Sequence, residues 1–236
     1  MKLFTNLSST GSNILIIGGY DGSYSQKASI INKQSNCLDL DDLPKPVVGA
    51  TGLFANQQPI YGGGNNGTSY SNECFKWNNG WSNFATLKTA RGYTAMVKLE
   101  NSLWLTGGWN GNRLKSTEHI KMNGEVSYGI DLPQEVFGHC MIHTGDDQVF
   151  IIGGYPNSLR KTLIYNVKQD NPQFIREGPS LNKDRYYHGC TTYLSQNHGG
   201  MVAIAIGGYG SSYNTAEVWN YQDLGSSWTL SESGHQ

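Results

Sequence analysis

The strongest constraint on the fold of this chain is an apolar run that ends in two adjacent glycines and recurs five times. The copies read ILIIGGYDG, PIYGGGNNG, LWLTGGWNG, VFIIGGYPN and VAIAIGGYG. Their first glycines are Gly18, Gly63, Gly107, Gly153 and Gly207, which lie 45, 44, 46 and 54 residues apart. Self-similarity at this period is typical of propellers and other repeat arrays.

A five-residue segment that begins with leucine keeps the same register as the glycines. It reads LPKPV at 43–47, LKTAR at 87–91, LPQEV at 132–136 and LNKDR at 181–185. From its leucine to the next diglycine is 20, 20, 21 and 26 residues. The longest of these distances predicts an insertion in the last unit, most simply the polar residues 195–200.

Each unit is predicted to contain four short strands. The second strand ends in the diglycine, the third is an alternating segment after a polar loop, and the fourth precedes the leucine segment. Four strands in about 45 residues is the content of one propeller blade, and the 30 glycines and 14 tyrosines favour short strands and tight turns over helices.

The sequence therefore predicts an all-β propeller of five antiparallel four-stranded blades. We expect a single domain over residues 1–236, with residues 2–10 supplying the first strand of the first blade. The alternative is a six-bladed ring with one blade missing from this chain. The repeats fall approximately at 2–43, 44–87, 88–132, 133–181 and 182–236.

The glycine pairs are interpreted as structural. A strand covered on both faces by neighbouring blades can be continuously apolar, and glycine tolerates the bend and the close backbone approach where that strand ends. A phosphate-binding loop would need a lysine or a helix start after the glycines, and no copy supplies one. The pairs are Gly18 and Gly19, Gly63 and Gly64, Gly107 and Gly108, Gly153 and Gly154, and Gly207 and Gly208.

Charge and hydropathy narrow the classes of partner. A net charge of −1 offers no electrostatic footprint for nucleic acid or an anionic membrane. The first residues lack the apolar centre of a secretory signal, and no run approaches the roughly 20 apolar residues of a membrane helix. We therefore expect a soluble, cytoplasmic protein with neither nucleic acid nor membrane as partner.

The cysteines argue against a zinc or redox motif of the usual spacing. Cys37, Cys74, Cys140 and Cys190 are widely separated and form no C-x-x-C pair. Buried free thiols are the expected state.

The repeat resembles the kelch repeat over nearly the whole chain. The resemblance is strongest in residues 93–109 and 201–228, with Glu118 and Glu217 at the acidic position of the third strand and Trp81 and Trp228 in fourth strands. The first, third and fourth units lack the fourth-strand tryptophan. Membership of this family would imply a non-catalytic protein-binding module, either a substrate-recognition adaptor for a cullin-RING ubiquitin ligase or an actin-associated scaffold.

Partner peptides of kelch-like proteins commonly bind one face of the propeller, where the loops between second and third strands meet the links between blades. Arginine and large aromatic residues carry much of the energy of interfaces, and arginine can hold a carboxylate through two parallel hydrogen bonds. Arg91 and Arg185, at equivalent positions of two blades, are therefore expected to face an acidic segment of a protein or peptide partner, unless they pair with local carboxylates such as Asp184 or rest in solvent. The predicted partner-binding residues are Tyr20, Asp21, Tyr24, Asn65, Asn66, Tyr70, Arg91, Trp109, Asn110, Arg113, Tyr155, Arg160, Arg185, Tyr186, Tyr209 and Tyr213.

Catalytic alternatives exist because a fold does not fix a function. Kelch-type propellers include copper-radical oxidases and sugar-acid epimerases, but the cysteines, tyrosines and histidines here do not assemble a copper site, and no spacing singles out an acid and a base. A carbohydrate-binding propeller would use the same exposed aromatic residues. His139 and His188 lie near cysteines in first strands without further clustered ligands. The sequence predicts no enzyme activity, no metal and no cofactor.

Overall fold

The regular secondary structure of the described residues consists of twenty-three β-strands and a single 3-10 turn at Lys168–Asp170. The structure is a computed structural model that describes residues 13–32, 34–210, 214–223 and 225–231. The predicted fold class is confirmed: the chain is an all-β propeller of five antiparallel blades. No helix among these residues has the length and apolar character needed to cross a membrane.

The chain separates into two compact units, residues 1–135 and 136–236. Unit 1 holds blades 1 to 3. Blade 1 shows three strands among its described residues, and the strand predicted at residues 2–10 lies outside them. The strands are β1 (Ile14–Ile17), β2 (Ala28–Ile31) and β3 (Cys37–Asp39) in blade 1; β4 (Thr51–Ala55), β5 (Gln58–Gly62), β6 (Glu73–Trp77) and β7 (Trp81–Thr86) in blade 2; and β8 (Ala95–Lys98), β9 (Ser102–Thr106), β10 (Thr117–Lys121) and β11 (Val126–Tyr128) in blade 3.

Unit 2 holds blades 4 and 5 and two short two-stranded ladders. The strands in chain order are β12 (Val136–Phe137), β13 (Cys140–His143), β14 (Gln148–Ile152), β15 (Tyr155–Pro156), β16 (Thr162–Asn166), β17 (Gln173–Glu177), β18 (Arg185–Tyr186), β19 (Gly189–Ser195), β20 (Gly200–Ile206), β21 (Tyr209–Gly210), β22 (Ala216–Trp219) and β23 (Thr229–Leu230). Blade 4 is β13-β14-β16-β17, blade 5 is β19-β20-β22-β23, and the ladders join β12 to β15 and β18 to β21. The predicted insertion is the lengthened hairpin of β19 and β20, whose strands have seven residues each.

The core lies between neighbouring sheets of each unit. In unit 1, Leu53 and Ile60 of blade 2 pack in one cluster with Leu103 and Leu105 of blade 3. In unit 2, Phe150 of blade 4 shares a cluster with Trp219 and Trp228 of blade 5. All five residues of β9 are buried, so this second strand exposes no polar face to solvent.

The glycine pairs have the structural role that the sequence predicts. Gly18 has a φ of 55° and Gly19 a φ of 120°, and every other pair likewise has two positive φ angles. A Cβ on Gly18 would lie 2.1 Å from the carbonyl oxygen of Val47. The N–H of Gly19 donates to that same oxygen at 2.8 Å. The pair thus lets the end of the second strand bond the link that enters the next blade.

The expectation of free thiols is wrong for two of the four cysteines. Cys140 of β13 and Cys190 of β19 form a disulfide, with Cα atoms 6.0 Å apart and a sequence separation of 50. They meet because β13 and β19, the first strands of blades 4 and 5, lie side by side. Spacing along the chain does not reveal such a pairing. Cys37 is exposed and Cys74 buried, both as free thiols.

Candidate partner-binding surfaces

In each unit the loop after the diglycine is joined by backbone pairing to the link between blades. The pairs are Val48 with Asn65, Gly92 with Trp109, Phe137 with Tyr155, and Tyr186 with Tyr209. The loops and links therefore form a common surface within each unit, as the alternation of strand direction predicts. We call this the loop surface of that unit.

The loop surface of unit 1 combines aromatic residues with self-capped loops. The rings of Tyr20 and Tyr24 are 5.3 Å apart and both are exposed. Asn65 Oδ1 accepts the N–H of Gly67 at 2.7 Å. The side-chain oxygens of Asp21, Asn66 and Asn110 accept N–H groups of their own loops in the same way. These four polar residues stabilise the conformation of their own loops. They therefore have a structural role in addition to the predicted contact with a partner.

The remaining predicted residues of unit 1 lie in the same loops. Asn65 pairs with Tyr70, and Trp109 pairs with Arg113, across the two tight loops of blades 2 and 3. Trp109 and Tyr70 are partly exposed, and Arg113 is exposed. Unit 1 thus brings together the residues that the sequence predicts for its three blades, except Arg91.

Two tyrosines of these surfaces were not predicted from the sequence as site residues. Tyr93 and Tyr187 both have a φ of 54°, and their rings cover Gly49 and Gly138 of the preceding link. The N–H of each tyrosine donates to the carbonyl of the glycine that its ring covers, at 2.7 and 2.6 Å. Burial raises the pKa of Tyr93, and Tyr70 and Tyr24 add to the shift, which places three phenols near one another. A tyrosine in one link together with a glycine in the preceding link is the sequence pattern that could have predicted these contacts.

The loop surface of unit 2 is a cluster of five aromatic rings. We call it the tyrosine platform; its members are Phe137, Tyr155, Tyr186, Tyr187 and Tyr209. Tyr186 is central, with its ring 5.0 Å from Tyr187 and 5.5 Å from both Tyr155 and Tyr209. Tyr187 also lies 6.1 Å from Phe137 and 6.2 Å from Tyr209. The sequence identified three of the five, and Tyr213 lies outside the described residues.

Arg160, also predicted in the site, forms an ion pair at the edge of this surface. Its Nε donates to Asp184 Oδ1 at 2.6 Å; Arg160 is exposed and Asp184 is partly exposed. Asp184 is the carboxylate that the sequence offered as a local partner for Arg185. In the structure Asp184 forms its ion pair with Arg160 and not with Arg185.

The predicted role of Arg91 and Arg185 is wrong. Both side chains are completely buried, each in an ion pair, with Glu118 at 2.7 Å and with Glu217 at 3.0 Å. Nη1 of Arg91 donates to the carbonyl of Gly107. Nη1 of Arg185 does the same to the carbonyl of Gly207. The arginines reach from the link into the next blade and bind the first glycine of its pair, so they present no charge to a partner.

The two glutamates also hold the link. Glu118 accepts the backbone N–H groups of Lys88 at 2.7 Å and Thr89 at 3.1 Å. Glu217 accepts the N–H of Lys183 at 3.1 Å. Burial lowers the pKa of Arg91, and the charge of Glu118 opposes that shift. The acidic position of the third strand is therefore an internal anchor for the turn that joins two blades.

Two histidines, His139 and His188, are buried at the start of the first strands of blades 4 and 5. The described residues at the same position of blades 2 and 3 are not histidines. Burial lowers the pKa of His139 to about 3. Burial, then the charges of Arg185 and His139, lower the pKa of His188 to about 3 as well. Neither ring nitrogen of His188 has a hydrogen-bond partner. Within the described ranges no three His, Cys, Asp or Glu side chains converge in a manner that could hold a metal ion.

Comparison with known proteins gives one partial match. The chain is 35% identical over 118 residues to the Spermatocyte protein spe-26 of Caenorhabditis elegans, which covers 47% of this chain and 20% of that protein. The chain thus spans about a fifth of the length of the curated relative it matches. No family model matches the chain.

Proposed function

We propose that this chain is a non-catalytic protein-interaction module that binds a partner protein or peptide through the loop surfaces of its propeller. The observation that carries the proposal is the tyrosine platform. Five aromatic rings lie on loops and two-residue ladders, where they add to no β-sheet core, and aromatic residues of this kind are enriched in interfaces. A propeller fold and a distant relative of the kind found here fit such a role.

Membership of the kelch family and a cellular role are part of the proposal. The fivefold diglycine pattern supports the family assignment. Under it the propeller would recognise substrates for a cullin-RING ubiquitin ligase or organise actin, in a cytoplasmic setting. The partner is no longer expected to bind Arg91 and Arg185, because both are committed to buried ion pairs.

Affinity capture with the full chain tests the proposal. The variants are Tyr20→Ala with Trp109→Ala in unit 1, and Tyr155→Ala with Tyr209→Ala in unit 2. Leu38→Ala and Tyr193→Ala are controls, since both side chains are exposed and lie on strands β3 and β19, outside the loops and links. We expect partner proteins, identified by mass spectrometry, to be lost with a loop-surface variant and kept with both controls.

The opposite pattern would reject the proposed surfaces. Proteins that remain bound to both double variants, or that are lost equally from the controls, would place the interaction elsewhere. A cullin or actin among the proteins that depend on the loop surfaces would support the corresponding cellular role.

A further inference from the structure

We propose that the Cys140–Cys190 disulfide is a redox-sensitive switch, and that its reduction loosens the contact between the two links that carry part of the tyrosine platform. The links are those of β12 and β18, and each runs directly into one of the bonded cysteines. The proposal rests on the proposed function only in assigning the platform to a partner.

The disulfide lies close in sequence to the contact that it would control. Phe137 precedes Cys140 by three residues and Tyr187 precedes Cys190 by three. The rings of Phe137 and Tyr187 are 6.1 Å apart, and the N–H of Tyr187 donates to the carbonyl of Gly138 at 2.6 Å. The covalent bond therefore ties together the two segments whose rings and backbone meet in the platform.

Unit 1 makes the equivalent contact without a covalent bond. The N–H of Tyr93 donates to the carbonyl of Gly49 at 2.7 Å, and the ring of Tyr93 covers that glycine. Thr51 and Met96 occupy the positions of the two cysteines. Because such a contact forms without a disulfide, the bond in unit 2 must be related to something that unit 2 alone contains.

Unit 2 contains a buried histidine at this contact. The His188 ring lies against Gly153, and its Cβ lies against Gly208. The side chain is 4% exposed and neither ring nitrogen has a hydrogen-bond partner. Burial lowers the pKa of His188 to about 3, so the neutral ring keeps one donor and one acceptor unsatisfied, at the full cost of their desolvation. Its counterpart in unit 1, Thr94, donates its hydroxyl to the carbonyl of Thr106 at 2.6 Å.

Reduction removes the covalent bond and leaves the unsatisfied ring. A dithiol supplies two electrons and two protons: the S–S bond breaks, Cys140 and Cys190 become thiols, and the dithiol closes to its own disulfide. The links can then separate and let water bond the nitrogens of His188. The oxidised form must keep the ring buried, so His188 makes the disulfide easier to reduce than a satisfied side chain would.

The burial of the sulfur atoms couples reduction to opening. Cys140 and Cys190 are each 4% exposed, so a reductant reaches them when the links separate through a local fluctuation. After reduction the platform rings are held less firmly. A less organised surface pays more conformational entropy on binding, and we expect the reduced chain to bind its partner more weakly than the oxidised one.

Hydrogen exchange of the full chain, before and after treatment with dithiothreitol, tests the proposal. Exchange at the amide of Tyr187 should become at least tenfold faster, whereas that of Tyr93 should change less than twofold. Cys140→Ala with Cys190→Ala should reproduce the reduced state without reductant. His188→Thr, which copies unit 1, should bring the exchange rate of the reduced chain to within threefold of the oxidised rate. It should also lower the equilibrium constant for reduction by dithiothreitol at least fivefold.

Thermal melting identifies a variant that does not fold, and His188→Ser then replaces His188→Thr. Unchanged exchange at Tyr187, equal acceleration at Tyr93, or a hydroxyl variant that behaves like the wild type would overturn the switch. Four titratable thiols before treatment would overturn it as well.

Affinity capture separates this inference from the proposed function. Weaker capture by the reduced chain of proteins that depend on Tyr155 and Tyr209 supports both proposals. If no captured protein depends on these tyrosines, the proposed function fails, and the exchange data alone decide whether the disulfide controls the links.

Discussion

Blades 3 and 5 each hold the link that enters them through a buried ion pair, whereas the equivalent positions of blades 2 and 4 are apolar. Glu118 lies opposite Leu105, and Glu217 opposite Ala205, two residues before the diglycine. The same register in blades 2 and 4 holds Phe75 opposite Tyr61 and Leu163 opposite Ile151. The link residue is Arg91 or Arg185 in the first pair of blades and Val47 or Val136 in the second.

The link explains why these residues change together. In blades 3 and 5 the position after the leucine is Lys88 or Asn182, and backbone N–H groups of the link donate to the glutamate. In blades 2 and 4 that position is Pro44 or Pro133. Proline has no N–H to donate, so a glutamate there would lose a donor that it needs. The residue types at the positions of Lys88, Arg91 and Glu118, and at the equivalent positions of the other blades, therefore depend on one another.

Mixing the two junctions should produce the largest loss of stability. Glu118→Leu leaves the guanidinium of Arg91 and the N–H groups of Lys88 and Thr89 buried without their acceptor. Removing one partner of a buried pair costs about 3–5 kcal/mol. Urea denaturation should show that loss in the free energy of unfolding.

A matched variant separates the ion pair from simple packing. Lys88→Pro, Arg91→Val and Glu118→Leu together reproduce the junction of blade 4. Apolar replacement of a complete buried pair is often neutral or stabilising, so the triple variant should recover most of the loss. A single variant as stable as the wild type, or a triple variant as unstable as the single one, would contradict the coupling.

The junction of blades 4 and 5 carries a disulfide where that of blades 2 and 3 has Thr51 and Met96. Closing a chain segment with the sequence separation of 50 between Cys140 and Cys190 stabilises the fold by about 4 kcal/mol in the chain-entropy model. Cys140→Ala with Cys190→Ala should therefore lower the free energy of unfolding of unit 2 by about 2–4 kcal/mol and leave unit 1 unchanged. Hydrogen exchange, which reports each unit separately, measures the difference.

Thiol titration of the unfolded, unreduced protein is the direct control. Two reactive thiols, from Cys37 and Cys74, are expected; four would show that the disulfide is not formed. Disulfides persist mainly in oxidising compartments, so the same titration on protein from its native source also tests the expectation of a cytoplasmic location.

The same pair of junctions differs in its response to acid. Blades 4 and 5 have His139 and His188 where blades 2 and 3 have Ala50 and Thr94. With a folded pKa of about 3 against 6.5 when unfolded, each histidine takes up its proton only on unfolding. Its contribution is complete above pH 6.5 and is lost progressively as the pH falls toward 3.

Each histidine should therefore lower the free energy of unfolding by roughly 2 kcal/mol between pH 7 and pH 5. His188→Gln should remove its share of that slope, as measured by urea denaturation at several pH values, and hydrogen exchange should show the acid sensitivity in unit 2. An unchanged slope in the variant would mean that His188 titrates normally in the folded protein.

The fold was predictable from the sequence because glycine pairs mark backbone geometry directly. Gly18 and Gly19 must adopt positive φ angles next to the carbonyl of Val47, and no other residue type does this readily. The site was less predictable. Arg91 has the same sequence context whether it faces solvent or the next blade, and its burial depends on Glu118, 27 residues away.

The aromatic residues illustrate the same limit. Tyr155 and Tyr209 directly follow diglycines and were identified, whereas Phe137 and Tyr187 join them only through pairing of the links. A motif fixes the position of a residue in its own blade. Which residues of the next blade it contacts depends on the sequences of both blades, so the motif of one repeat does not predict them.

The exposed pair of Arg160 and Asp184 gives the smallest expected effect and the sharpest contrast with the buried pairs. Its side chains are 54% and 38% exposed, against 0% for Arg185 and Glu217. Water already solvates both exposed charges, and such pairs contribute at most about 1 kcal/mol. Asp184→Asn should therefore change the free energy of unfolding by less than about 1 kcal/mol, while Glu217→Gln in the same link costs about 3 kcal/mol or more. Raising the salt concentration should erase the effect of Asp184→Asn and not that of Glu217→Gln. Equal losses in the two variants would show that burial does not distinguish these pairs, and the comparison between charged and apolar junctions would lose its physical basis.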